Sequence, residues 1–168
     1  TNKDLYGFYF IDPINTIAVG DGGIILRSTT GGNAWSVQSI GVYQNLYAID
    51  FLNQNFGIVV GDSGTILRTI DGGINWAPQL SGTLSGLKSV DIIDENNISV
   101  IGDLGTILRS TDTGITWVPQ TTTEIQNFYD VTFSNINNGV IVGSNGAILE
   151  TTNAGRNWEL ARPITLTV

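Results

Sequence analysis

The chain has 168 residues, 41% of them apolar, with 15 acidic and seven basic side chains and a net charge of −8. That length can bury a core, but the apolar residues fall in short runs, none near the roughly 20 needed to cross a bilayer as a helix. The cations are scattered singly, so the basic stripe that nucleic acid demands is missing, and zero Cys and zero His exclude disulfides, thiolate or imidazole metal sites and His-based triads.

The predicted elements recur with a period of 41 residues, which signals a propeller, solenoid or array. The first strand of each repeat reads LYGFYF (Leu5–Phe10), LYAIDF (Leu46–Phe51), LKSVDI (Leu87–Ile92) and FYDVTF (Phe128–Phe133), rich in aromatic and β-branched residues. After an Asp- and Asn-rich turn comes an apolar run, TIAVG, GIVVG, ISVIG or VIVG, ending on a repeated glycine. A tight Gly-Asp-x-Gly turn follows, in which Gly supplies positive φ and Asp can bond to backbone two residues on. The third strand is IILRS, TILRT, TILRS and AILET. A second turn leads to Trp35, Trp76, Trp117 or Trp158, each opening a fourth strand. Pro78 and Pro119 cannot donate to a ladder, so this last strand is predicted to be an edge. Four antiparallel strands per repeat predict an all-β fold, a β-propeller of four 41-residue blades. The blades are expected at residues 5–40, 46–81, 87–122 and 128–162, with 163–168 left as a closing strand or linker.

The longest repeated unit is GDSGTILRTIDGGINW, Gly61–Trp76, which returns as GDLGTILRSTDTGITW at Gly102–Trp117 with 11 of 16 positions identical. Its second half reads Ser/Thr-x-Asp-x-Gly-x-x-Trp: Thr69, Asp71, Gly73, Trp76; then Ser110, Asp112, Gly114, Trp117. The outer copies are Ser28, Thr30, Gly32, Trp35 and Thr151, Asn153, Gly155, Trp158, with Thr30 and Asn153 in the Asp position. This resembles the Asp-box, or bacterial neuraminidase repeat, of sialidase-like and sortilin-like propellers. The fuller sentence, Gly-x-x-Gly-x-Ile-Leu-Arg-Ser/Thr-x-Asp-x-Gly-x-x-Trp, is similar to the repeats of the photosystem II stability and assembly factor family, over residues 5–160. The resemblance implies a turn on the outer rim, away from any active site. In physical terms the Asp carboxylate and the Ser/Thr hydroxyl should accept N–H groups of their own turn, with Gly left-handed and Trp packed beneath. Thr30 and Asn153 can still make local bonds.

Glycosidase chemistry would need two suitably spaced carboxylates. Asp50 and Asp91 share a column with Tyr9 and Thr132, and Asp130 lies two columns away; hydration in a central channel is the plainer expectation. A sialidase would need a converging arginine cluster, whereas Arg27, Arg68 and Arg109 share one column and should form a ring, broken by Glu150. Two rings are thus candidate binding features: Asp21, Asp62 and Asp103 with Ser144, and the three arginines near the opposite end, where pairing with Asp71 and Asp112 is expected. The family resemblance implies that arginines on one face contact a partner protein. Tyr6, Tyr47 and Tyr129, with Lys88, form a further column expected to pack in the core.

Equal repeats without inserted loops argue against an enzyme. The expected function is a non-catalytic scaffold for protein–protein interaction or assembly, without cofactor or metal; a carbohydrate-binding propeller is the alternative, and a glycoside hydrolase fragment the weaker one. Starting at Thr1 without any Met, the chain is expected to be a processed product or a piece of a longer one. Abundant Thr, Asn and Gly with 13% charged residues suggests an exported bacterial protein. Four blades could belong to a larger propeller, be closed by a second copy into eight, or close alone with Ile164–Val168 as a seal.

Overall fold

Sixteen short strands form four antiparallel sheets of four in the computed structural model, which describes residues 1–38 and 40–161. The first sheet is β1 (Leu5–Phe10), β2 (Thr16–Gly20), β3 (Ile25–Ser28) and β4 (Ser36–Gln38). The second is β5 (Leu46–Phe51), β6 (Gly57–Gly61), β7 (Ile66–Thr69) and β8 (Ala77–Gln79). The third is β9 (Leu87–Asp94), β10 (Asn97–Gly102), β11 (Ile107–Ser110) and β12 (Val118–Pro119). The fourth is β13 (Phe128–Phe133), β14 (Gly139–Gly143), β15 (Ile148–Thr151) and β16 (Glu159–Leu160). Each sheet follows chain order, so Pro78 and Pro119 lie on end strands as predicted. The closing segment expected at 163–168 lies outside the described residues.

Sheets are stacked as blades, with first strands β1, β5, β9 and β13 side by side. The second strand of an inner blade is covered by a neighbour on both faces. This is why β6 is buried at every position and reads as a continuous apolar run instead of alternating. In β14 the same kind of sequence alternates buried and exposed, whereas β2 of blade 1 is buried throughout. The apolar cores sit between blades: Ile17, Ile25 and Leu46 join blades 1 and 2, Ile58, Ile66 and Leu87 join 2 and 3, and Ile101, Ile107 and Phe128 join 3 and 4. Among the described residues no such core joins blade 4 to blade 1.

The glycine that ends each second strand has a steric cause. A Cβ on Gly20, Gly61 or Gly102 would overlap the carbonyl of Asp4, Asn45 or Gly86, where the incoming connector crosses. The same connector carbonyls accept the next backbone N–H, for example Asp62 N to Asn45 O at 2.9 Å.

Candidate functional site

Every Asp-box closes as its residues require. Asp71 Oδ1 accepts Asn75 N and the Thr69 hydroxyl, both at 2.9 Å, while Thr69 Oγ1 accepts Gly73 N at 3.0 Å. Asp112 Oδ1 accepts Thr116 N and Ser110 Oγ at 2.9 Å, and Gly114 N donates to Ser110 Oγ. Thr30 Oγ1 takes Ala34 N at 2.9 Å, and Asn153 Oδ1 takes Asn157 N at 3.0 Å, so both substitutes serve; Gly32 N and Gly155 N donate to Ser28 Oγ and Thr151 Oγ1. Burial pushes the Asp71 carboxyl up, but hydrogen bonds from Asn75 and Thr69 outweigh it and leave it below the ordinary value. Bonds from Thr116 hold Asp112 low in the same way. Trp117 and Trp158 pack beneath their turns and Trp76 is half-buried, but Trp35 is exposed, against expectation, because no blade lies over it.

The arginines do not pair with Asp71 or Asp112. Each donates from Nε to a backbone carbonyl in the box turn of the following blade: Arg27 to Gly72 O at 3.3 Å, Arg68 to Thr113 O at 2.6 Å, Arg109 to Ala154 O at 2.8 Å. Arg68 also lies over the Phe56 ring, 5.4 Å from its centroid, and Arg109 Nη2 bonds Asn97 Oδ1. The half-buried arginine column is therefore a set of clamps between blades. Arg68→Ala is expected to cost about 2 kcal/mol, the worth of a charge-assisted bond and its stem packing; urea unfolding monitored by Trp fluorescence checks it.

The carboxylates weighed for catalysis do the same on the first strands. Asp50 Oδ2 accepts Ile92 N at 2.7 Å and Oδ1 accepts Phe51 N at 2.8 Å; Asp91 Oδ2 accepts Phe133 N at 2.6 Å. Tyr9, in the same column, donates to Phe51 O at 2.9 Å. Asp130 accepts from Ser89 Oγ at 2.8 Å, again across a blade boundary. Burial raises the Asp50 carboxyl to about 6, against the opposing effect of its two N–H partners, and burial also raises Asp91.

The tyrosine column is not core. A one-residue bulge in each first strand falls on Tyr6, Tyr47, Lys88 and Tyr129. Such an insertion re-aims the side chain, here toward the acidic turn. Tyr6 OH donates to Asp21 at 2.6 Å and Tyr47 OH to Asp62 at 2.8 Å. Lys88 Nζ lies 3.4 Å from Asp103 and 3.8 Å from Asp62, and sits 4.0 Å from the centre of the Tyr47 ring. The hydrogen bond to Asp21 pushes the Tyr6 hydroxyl up to about 12. Asp21, Asp62 and Asp103, expected as an acidic ring, bond these tyrosines and Lys88 rather than their own turn.

Around this ring the structure adds residues that the sequence reading passed over. The connectors leaving blades 1, 2 and 3 carry Tyr43, Leu84 and Ile125, 41 residues apart and all strongly exposed. Equivalent grooves of ≈ 520 and ≈ 490 Å³ run between connector, acidic turn and outer strand in blades 1 and 2; Gly23 and Val42 line the first, Gly64 and Thr83 the second. The usable signal is an apolar residue repeated at one column of three linkers. Among the described residues no cluster of acidic side chains suits a metal ion, and no helix is long and apolar enough to cross a membrane.

Residues 27–124, more than half of the chain, match the family described as photosynthesis system II assembly factor YCF48. The chain belongs to the YCF48 family. Solved structures agree on the fold. A YCF48 bound to D1 peptide superposes with TM-score 0.66 at 15% identity, covering 95% of this chain and 82% of that one. YCF48 from Cyanidioschyzon merolae gives TM-score 0.75 at 22% identity over 98% of this chain, which spans only 58% of that structure. A GH74 enzyme from Niastella koreensis gives 0.74 at 17% identity, with 95% of this chain and 30% of that one covered. Among curated proteins none matches the sequence.

Proposed function

We propose that this chain is a non-catalytic propeller scaffold that holds an extended segment of a protein partner across the face formed by its connectors and acidic turns. The observation that carries the reading is the row Tyr43, Leu84 and Ile125, one exposed apolar side chain per connector, beside equivalent grooves and the acidic turns of Asp21, Asp62 and Asp103. Apolar anchors beside a polar inner ring suit a segment with spaced apolar side chains, and the acidic ring and net charge of −8 favour basic residues in it. Membership of the YCF48 family supports a peptide as the partner, since a YCF48 structure holds a D1 peptide. The engagement of Asp50 and Asp91 by backbone N–H groups supports a non-catalytic role; the GH74 likeness is one of fold.

The test is fluorescence polarisation against a library of sequence-diverse synthetic peptides, run beside a glycan array. Peptides bearing basic and apolar residues should bind, and the triple variant Tyr43→Ser, Leu84→Ser, Ile125→Ser should weaken them at least about tenfold. Glycan binding without peptide binding would sink the reading. So would peptide binding that the triple variant leaves untouched.

A further inference from the structure

The fourth strand of each blade is the last of its sheet, and the blades differ at one residue of it. Across β3 and β4 Leu26 faces Val37; in blade 2 Leu67 faces Pro78, and in blade 3 Leu108 faces Pro119. Antiparallel partners alternate between pairs that exchange both backbone bonds and pairs that exchange none. Gln120 N donates to Ile107 O at 2.9 Å, so the next pair, Leu108 and Pro119, exchanges none. The register is the same in blades 1 and 2. The backbone of Val37, Pro78 and Pro119 therefore points away from the sheet.

Proline has no N–H, so the outer edges of blades 2 and 3 lack the donor that a further strand needs. Blade 1 keeps it. Among the described residues neither the N–H nor the carbonyl of Val37 has a partner. The Val37 side chain is 67% exposed and forms one wall of the ≈ 520 Å³ groove, with Ile24, Ile40, Val42 and the anchor Tyr43. Leu160 holds the column in blade 4 and also keeps its N–H, but the notch beside it is ≈ 240 Å³ and carries Glu150 and Glu159. Blade 1 thus combines an open donor and acceptor with an apolar groove.

We propose that an extended segment of a protein partner adds to blade 1 as a fifth, antiparallel strand beside β4. One residue of the segment exchanges both backbone bonds with Val37. Residues directly opposite share a face of the sheet, so its side chain lies beside that of Val37 and fills the groove. The inference rests on the reading of the connector face as a peptide-binding one, and it says where the segment lies: along the outer edge of blade 1, past Tyr43. The occupant follows from hydrogen-bond complementarity. What the edge leaves unpaired is one peptide donor and one peptide acceptor on a single residue, the pair that an extended backbone matches. A large apolar residue opposite Val37 suits the groove walls.

The probe is the fluorescein-labelled library peptide that binds most tightly in the polarisation screen. Val37→Pro should weaken it about tenfold. The circular dichroism should not change, because proline already stands at this position in blades 2 and 3 and Ser36 before it is in a strand. Val37→Thr keeps both the N–H and a branched side chain and should bind within about twofold of the wild type. N-methylation of the peptide, one residue at a time, should single out a residue at which the methyl costs about tenfold. Equal losses in Val37→Pro and Val37→Thr, or a flat N-methyl scan, overturn strand addition. Binding that the Tyr43, Leu84, Ile125 triple variant weakens and Val37→Pro leaves intact overturns it too, while the docking face stands. Absence of any peptide binding overturns both.

Discussion

Gly73→Ala is expected to destabilise the protein by about 2–5 kcal/mol, and Gly32→Ala by only about 1–2 kcal/mol. The two glycines hold the same position of the same turn, with φ of 76° and 89°, so the left-handed penalty is shared. The difference lies in the neighbours: a methyl on Gly73 runs into Ile17 Cδ1 of the preceding blade, whereas a methyl on Gly32 meets only Trp35 at 3.9 Å. Relief would require Ile17, which is fully buried, to leave its packed rotamer or blade 2 to back away, and either disturbs the core that Ile17, Ile25 and Leu46 share. Urea unfolding of both variants decides the matter. Equal losses would mean that the turn alone, and not its seating, governs stability.

The second large effect concerns pH. Asp50 has its carboxyl raised from 3.8 to about 6, chiefly by burial. A carboxyl raised in the folded state binds more protons there than in the unfolded chain. Stability from this group is therefore full below about pH 4 and is lost as pH rises through about 6, by at most about 3 kcal/mol. Asp91, raised by the same cause, adds to the slope. The box acids Asp71 and Asp112 are lowered, so their contribution falls away only in acid, below the Asp50 window. Unfolding free energy should thus be greater near pH 5 than near pH 7.5. Asp50→Asn should remove most of that slope while keeping an acceptor for Ile92 N. A wild-type profile flat between those values would refute the assignment.

The fold was legible because the period was: four tryptophans 41 residues apart place four hairpin sets in register, and the box chemistry is local enough to read from eight residues. Thr30 and Asn153 could be trusted for the same reason, since both offer an oxygen at the right place. The roles of Arg68 and Asp50 were not legible. Their partners are Thr113, 45 residues on, and Ile92, 42 residues on, offsets close to but not equal to the period. Reading down a column shows that a residue recurs; it does not show that its bond goes to the next copy. The tyrosine column was misread as core because strand alternation assumes an unbroken ladder, and the bulge at Tyr6, Tyr47 and Lys88 breaks it. Tyr43, Leu84 and Ile125 escaped notice because single exposed apolar residues in linkers are ordinary; only their shared spacing sets them apart.

The joints have one more consequence, for how the molecule comes apart. Every clamp described runs from a blade to its immediate successor: Tyr9 to Phe51, Arg68 to Thr113, Asp91 to Phe133. Such nearest-neighbour coupling makes the array behave like a short one-dimensional lattice, in which stability is a sum of units and links. Among the described residues blades 2 and 3 each have two such links, so a break at one joint leaves each of them held by the other.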